Sequence, residues 1–287
     1  MVNYNPKKWG NVIFHPYNKN ILLKLTPNTI LFGMYTWLII FLMDDYLHIQ
    51  KSTTAVHSLL GVVLGLFLVM RTNTSYERWW EGRKQWGSLV NASRNLAIKL
   101  NVMLPEEDLE KRSFYQSMIP NYVFAIKEHL RNGVDLQELD FTYLPADFER
   151  YEHKPNQMAQ LMYTKLHEAH NNKDIDGEQL LLLDAELREF TDILGACERI
   201  KNTPIPYSYS MFMKKFIVIY TSTLPMGVAT TFGYWTIPVA MIVFYILLSV
   251  ELIAEEIEDP FGRDDNDLPT DELSSKIKQN IIEIFNV

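Results

Sequence analysis

Few residues in this chain have the types and spacing to do covalent or metal chemistry. His167-Glu-Ala-His170 sets two histidines beside a carboxylate. A zinc-protease helix needs its histidines four residues apart, with the glutamate next to the first. Here they are three apart, and the segment reads as a solvated helix face. Cys197 is the single cysteine. Beside Glu198 and Arg199 it reads as a small packed residue rather than a nucleophile. A lone cysteine also excludes an intrachain disulfide, which suits a reducing interior. No phosphate-binding glycine loop, nucleophile elbow or Cys/His zinc spacing occurs, so no enzyme is expected. With 35 acidic residues against 27 basic ones and a net charge of -8, the basic footprint of a nucleic-acid binder is missing too.

The chemistry that remains is that of an apolar environment. The mean hydropathy of -0.09 resembles that of a soluble protein, but the apolar residues are clumped. Residues 26–43 carry no charge, nor do residues 55–70 with His57 neutral. Residues 216–254 carry one charge, Glu251. A bilayer core about 30 Å thick needs about 20 mostly apolar residues per helix. Four spans follow: residues 26–47, 54–70, 216–232 and 234–254, the last two parted near Gly233. Pro225 and Pro238 lie inside them, as membrane helices permit where neighbours satisfy the freed carbonyls. The second span is short, so protein or a water-filled lumen should flank it rather than lipid alone. His57 in that span could face a pore or pack against a neighbour, and packing is the reading taken.

Basic residues set the orientation. Lys7, Lys8, Lys19 and Lys24 precede the first span, Arg71, Arg78, Arg83 and Lys84 follow the second, and Lys214 and Lys215 precede the third. The loop between the first two spans holds Asp44, Asp45 and Lys51. These basic ends share one side, the cytoplasm, and both termini belong there in the cell membrane. The expected architecture is all-α, with four transmembrane helices in two hairpins and an inserted cytoplasmic helical domain. Residues 1–25 form a cytoplasmic N-terminal segment, 26–70 the first hairpin, 71–215 the inserted domain, 216–254 the second hairpin and 255–287 an acidic C-terminal segment. Residues 71–103 continue the second span without proline, giving one helix about 73 Å long at about 1.5 Å per residue. Pro105-Glu-Glu-Asp108 reads as a helix start. Helices are expected over 113–130, 157–170 and 177–200, with a looser connection over 133–155. Thr203-Pro-Ile-Pro206 breaks the chain before the third span.

Three motifs, in this order on a two-plus-two arrangement of spans, resemble the bestrophin family over nearly the whole chain. They are Arg71-Thr-Asn-Thr-Ser-Tyr-Glu-Arg-Trp-Trp-Glu-Gly-Arg83 with Trp86-Gly87, Gly195-Ala-Cys-Glu-Arg-Ile200 with Thr203-Pro-Ile-Pro206, and Ala254-Glu-Glu-Ile-Glu-Asp-Pro-Phe-Gly262 with Asn266-Asp-Leu-Pro269. Two departures are small: Trp79 stands where a phenylalanine is usual, and Gly82 where an alanine is. The resemblance implies a homopentameric ion channel with one central pore and a narrow hydrophobic neck lined by the second span. Carried over by position, the neck is Val62, Leu66 and Met70. Their i, i+4, i+8 spacing is one stripe of a helix. Gly61 and Gly65, one turn apart, would allow close helix approach beside it.

In animal members an acidic cluster after this last motif binds calcium. By resemblance Asp264 and Asp267 hold the two side-chain ligand positions, with the other oxygens supplied by carbonyls. Arg263 stands where animal members carry an acid, and bacterial relatives are read as calcium-independent. No cofactor is therefore expected to be required, and calcium is the one candidate. The expected partners are further copies of the chain, membrane lipid and the permeant ions. The family label suggests chloride, whereas the net negative charge favours cations if the acids line the vestibule. The competing reading is a membrane-anchored helical scaffold or membrane enzyme without a pore.

Overall fold

The computed structural model describes residues 19–43, 54–131 and 133–286. The expected N-terminal segment up to residue 18 and the loop with Asp44, Asp45, Leu47 and Lys51 lie outside them. Among the described residues every regular element is helical, and eight α-helices follow in order. They are α1 (Lys19–Phe41), α2 (Thr54–Met103), α3 (Leu109–His129), α4 (Lys154–Asn171), α5 (Gly177–Asn202), α6 (Tyr207–Phe232), α7 (Thr236–Glu258) and α8 (Thr270–Phe285).

The chain divides into two compact units. The first runs up to Arg78 and adds Pro204–Glu258 and Asp264–Asn266; the second holds Trp79–Thr203, Asp259–Arg263 and the chain from Asp267 onward. Residues 71–78 and 204–215, assigned from sequence to the inserted domain, thus pack with the apolar helices. The reason is local: Arg71 and Arg78 both bond to Glu258 at the end of α7.

In the first unit the apolar helices show most of their surface outward. Among the described residues two helical stretches are long and apolar enough to cross a membrane, Thr54–Met103 and Tyr207–Glu258, and Leu25–Phe41 is a shorter apolar one. Only 22% and 17% of the most apolar windows of the two long stretches is buried within the subunit. The core helix of a soluble protein would be mostly buried, so this surface needs lipid or a partner. Tyr207–Glu258 is broken by a 3-10 turn at Gly233–Trp235, where the sequence places the break. Gly233 has φ +53°, a region glycine enters without a Cβ penalty. Helix α1 already runs at Lys19, ahead of the expected start at residue 26, because Ile21 and Leu25 are buried and extend its packed face.

The second unit has an ordinary water-excluding core. Helix α3 lies at its centre and is buried almost all round from Phe114 to Glu128. Its N-cap is Asp108, whose carboxylate accepts from the Lys111 amide, so the helix starts four residues before the expected Ser113. The buried hydroxyls of Tyr115 and Tyr122 donate to the carbonyls of Met162 and Phe190, each at 3.0 Å. Burial pushes both phenols well above their usual pKa. Helix α5 opens on a capping box between Asp176 and Gln179. The expected loose connection over 133–155 contains three single 3-10 turns. Helix α8 has no counterpart in the sequence reading, which gives 255–287 only as an acidic segment. Ser274, Ile277 and Ile281 form its buried face, and this short stripe is masked in the sequence by the charges between.

Candidate pore-lining site

Helix α2 has two opposite faces within the first unit. One face is buried and carries His57, Leu64, Leu68, Arg71 and Ser75. These recur with helical spacing; Leu64 and Leu68 meet Met213 and Ile217 of α6, and Arg71 reaches Glu251 and Glu258 of α7. The other face carries the three residues singled out from the sequence. Val62 and Leu66 are each 64% exposed and Met70 57%, against 1% for Leu64 and 6% for Leu68. A step of two residues turns a helix by about 200° at 3.6 residues per turn. The stripe therefore points away from the packed core of its own subunit. Val56, Leu59 and Val69 extend it as exposed apolar positions.

Close packing fixes which way α2 faces. A Cβ on Gly61 would lie 2.9 Å from the Tyr220 hydroxyl, so this glycine does admit a neighbouring helix. Gly65 does not: nothing lies within 4 Å of the position its Cβ would take. The second glycine of the pair faces open space within the subunit. His57 is a buried packing residue, as expected. Its Nε2 lies 3.1 Å from Thr223 Oγ1, and its ring fills the space above Gly227, where a Cβ would lie 2.5 Å from Nδ1. Gly227→Ala must therefore push α6 off α2. It is expected to destabilise the subunit by about 1–3 kcal/mol, seen as a lower melting temperature of the purified protein. An unchanged melting temperature would contradict this packing.

At the end of the stripe sits a buried charge cluster. The Arg71 guanidinium donates to Glu258 Oε2 at 2.7 Å and to Ser75 Oγ at 3.1 Å. Its Nε is 3.6 Å from Glu251 Oε1, and both Glu251 and Arg71 are almost fully buried. Glu258 Oε1 accepts from the Ile205 amide at 2.9 Å, and its carbonyl accepts from Arg78 Nε at 3.1 Å. Glu258 thus joins all three sequence motifs: Arg71 and Arg78 from the first, Ile205 from the second, and itself from the third. No local pattern marks Glu258 for this role; only the shared motif membership of its partners could have pointed to it. Glu251, the one charge in residues 216–254, is accounted for by Arg71.

Within the second unit the same motifs meet again. Gly82, which stands where the family pattern has alanine, faces Pro260 and Phe261, whose ring atoms would lie 3.1–3.2 Å from a Cβ there. The Phe261 carbonyl accepts from Arg131 Nε at 3.2 Å. Cys197 is fully buried, and burial pushes its thiol up to about 12, which removes it as a nucleophile at neutral pH. The two calcium candidates fall in different units. Asp264 is exposed in the first. Asp267 is buried in the second, its Oδ2 only 2.6 Å from where a Cβ on Gly262 would stand.

Comparison with known proteins gives a consistent picture. A family model described as bacterial/fungal bestrophin protein matches residues 1–283. A Nostoc protein named as a voltage-dependent anion channel-forming protein is 36% identical over 233 residues, covering 79% of this chain and 76% of that protein. YneE of Escherichia coli K12, named in the same way, is 29% identical over 280 residues, covering 96% and 91%. The crystal structure of a bacterial bestrophin homologue from Klebsiella pneumoniae, carrying a point mutation, superposes with a TM-score of 0.83 at 27% identity. It covers 92% of this chain and 100% of that one. These matches point to ion channels rather than enzymes.

Proposed function

The chain belongs to the bacterial and fungal bestrophin family and is a bestrophin-type ion channel of the membrane; from that premise we propose that five copies surround one pore whose neck is lined by Val62, Leu66 and Met70. The observation that carries this reading is the exposed apolar stripe opposite the packed face of α2. Five such stripes facing one axis make a narrow apolar ring. A ring of that kind excludes water, so a hydrated ion meets a barrier. The short second span is then flanked by its own copies and by the lumen. α1, the apolar end of α2, α6 and α7 are the four membrane crossings. Both termini and residues 71–215 are cytoplasmic, on the basic-residue distribution. Multi-angle light scattering in detergent should give five subunits; a monomer or dimer would overturn the assembly.

The relatives are named as anion channels, and chloride is the ion taken here. The second reading, cation conduction, rests on charge: five subunits of -8 each carry -40, which raises cation concentration wherever the acids face the lumen. The neck residues are neutral and leave the sign to the vestibule. Reversal potentials under a NaCl gradient separate the two readings, since chloride and sodium drive them to opposite signs. Conduction needs no cofactor. Asp264 and Asp267 stay as calcium candidates on the family resemblance alone. Currents are expected to be the same in calcium and in chelator, and a chelator-sensitive current would overturn that.

A further inference from the structure

We propose that His129, His153 and Glu198 form a binding site for one divalent transition-metal ion of the zinc class. All three belong to the second unit. His129 is the last residue of α3, His153 caps the N-terminus of α4, and Glu198 lies on the last turns of α5. Their side chains converge on one point. Nε2 of His129 is 2.7 Å from Glu198 Oε1, and Nε2 of His153 is 2.8 Å from the same oxygen. The two imidazole rings have centroids 4.6 Å apart, and all three ligand atoms lie within 4.8 Å of one another.

Two imidazole nitrogens and one carboxylate oxygen are the donors zinc takes when a fourth position stays open to water. The side chains are 26%, 35% and 27% exposed, so a hydrated ion can reach them and keep one water. The backbones behind them are held by the core. Cys197 and Ile200 flank Glu198 as buried residues. Lys201 ties α5 to the chain just after His129 by donating to the carbonyls of Leu130 and Arg131. Ligands on such supports keep their geometry better than ligands on loops.

Two adjustments are needed for the metal to enter. Zinc at about 2.0–2.1 Å from each donor sets tetrahedral ligands about 3.3 Å apart. Glu198 must therefore draw back by about half an ångström, which a partly exposed carboxylate can do. The ring protons of both histidines, which face Glu198 from Nε2, must also move to Nδ1; in His153 that nitrogen at present accepts from the Asn156 amide. That contact is long, 3.3 Å, and gives way to the metal. The competing role is a hydrogen-bonded clasp, with both imidazoles donating to Glu198 and no ion involved.

The test uses the full-length oligomer with any polyhistidine tag removed. Zinc chloride is titrated by calorimetry, and cobalt(II) is followed by its visible d–d absorption. One ion per subunit is expected, with four-coordinate cobalt bands. His153→Ala and Glu198→Gln should each weaken binding at least tenfold, while the double variant His167→Ala/His170→Ala leaves it unchanged. Glu198→Gln keeps an acceptor for the clasp, so its loss of binding reads as loss of the anionic ligand rather than of the fold. Absence of saturable binding to the wild-type protein, or binding by Glu198→Gln and His153→Ala as tight as the wild type's, would overturn the site.

Discussion

Replacing Val62, Leu66 and Met70 together by alanine should raise the current through reconstituted channels about tenfold. The reasoning starts from the ring. Each substitution trims a side chain that is exposed on the free subunit, so the subunit itself loses no core packing. In the assembled pore the same side chains narrow the neck and keep water out. Widening the ring lets water persist, and the ion keeps more of its hydration. A barrier lowered by about 1.4 kcal/mol already gives a tenfold gain. The single variants should fall between wild type and the triple variant. Planar-bilayer recording reads the effect as conductance or open probability, and unchanged currents would remove these residues from the neck. The same stripe facing lipid would leave the current as it is, and a scaffold without a pore would give no current at all.

Arg71→Met should cost the subunit about 3–5 kcal/mol, the amount typical when one partner of a buried ion pair is removed. Arg71 is 1% exposed and has two carboxylates around it, Glu258 at 2.7 Å and Glu251 at 3.6 Å. Without the guanidinium both acids remain in a site with little water. The expected readouts are a large fall in melting temperature and loss of the oligomer on size exclusion. Glu258→Gln should be milder, since its one amide oxygen still accepts from either Arg71 or the Ile205 amide, which use different oxygens of the carboxylate. Replacing Arg71, Glu251 and Glu258 all by apolar residues should recover much of the loss, because no charge is then left unpaired. If Arg71→Met melts like the wild type, the cluster is not the tie between the three motifs that its geometry implies.

The apolar helices were legible in the sequence because residues 216–254 carry so little charge and because Gly233 marks their break. The long α2 was legible for a similar reason, since nothing from residue 54 to 103 interrupts a helix. What stayed hidden depends on contacts distant in sequence. Glu258 reads as one acid among several after Ala254, and only its bonds to Arg71 and Ile205 set it apart. Gly61 and Gly65 look equivalent by spacing, yet Tyr220 covers one and leaves the other open. His129, His153 and Glu198 are 45 to 69 residues apart by pair with Glu198, and no local motif joins them. The stripe Val62, Leu66 and Met70 was found by resemblance, and its spacing alone would equally suit a lipid-facing row. Its exposure opposite Leu64 and Leu68 shows that the row is free of its own subunit's core, and the choice of pore over lipid rests on the resemblance.

The central claim is that this stripe faces the ion path. Cysteine accessibility tests it most directly, because Cys197 is buried and its thiol is pushed up to about 12, so the native background is silent. Leu66→Cys channels should lose most of their current when a charged methanethiosulfonate is added, and regain it on reduction. Leu68→Cys, on the packed face, should not respond. Modification of Leu66→Cys, verified by mass, with the current unchanged would contradict the account.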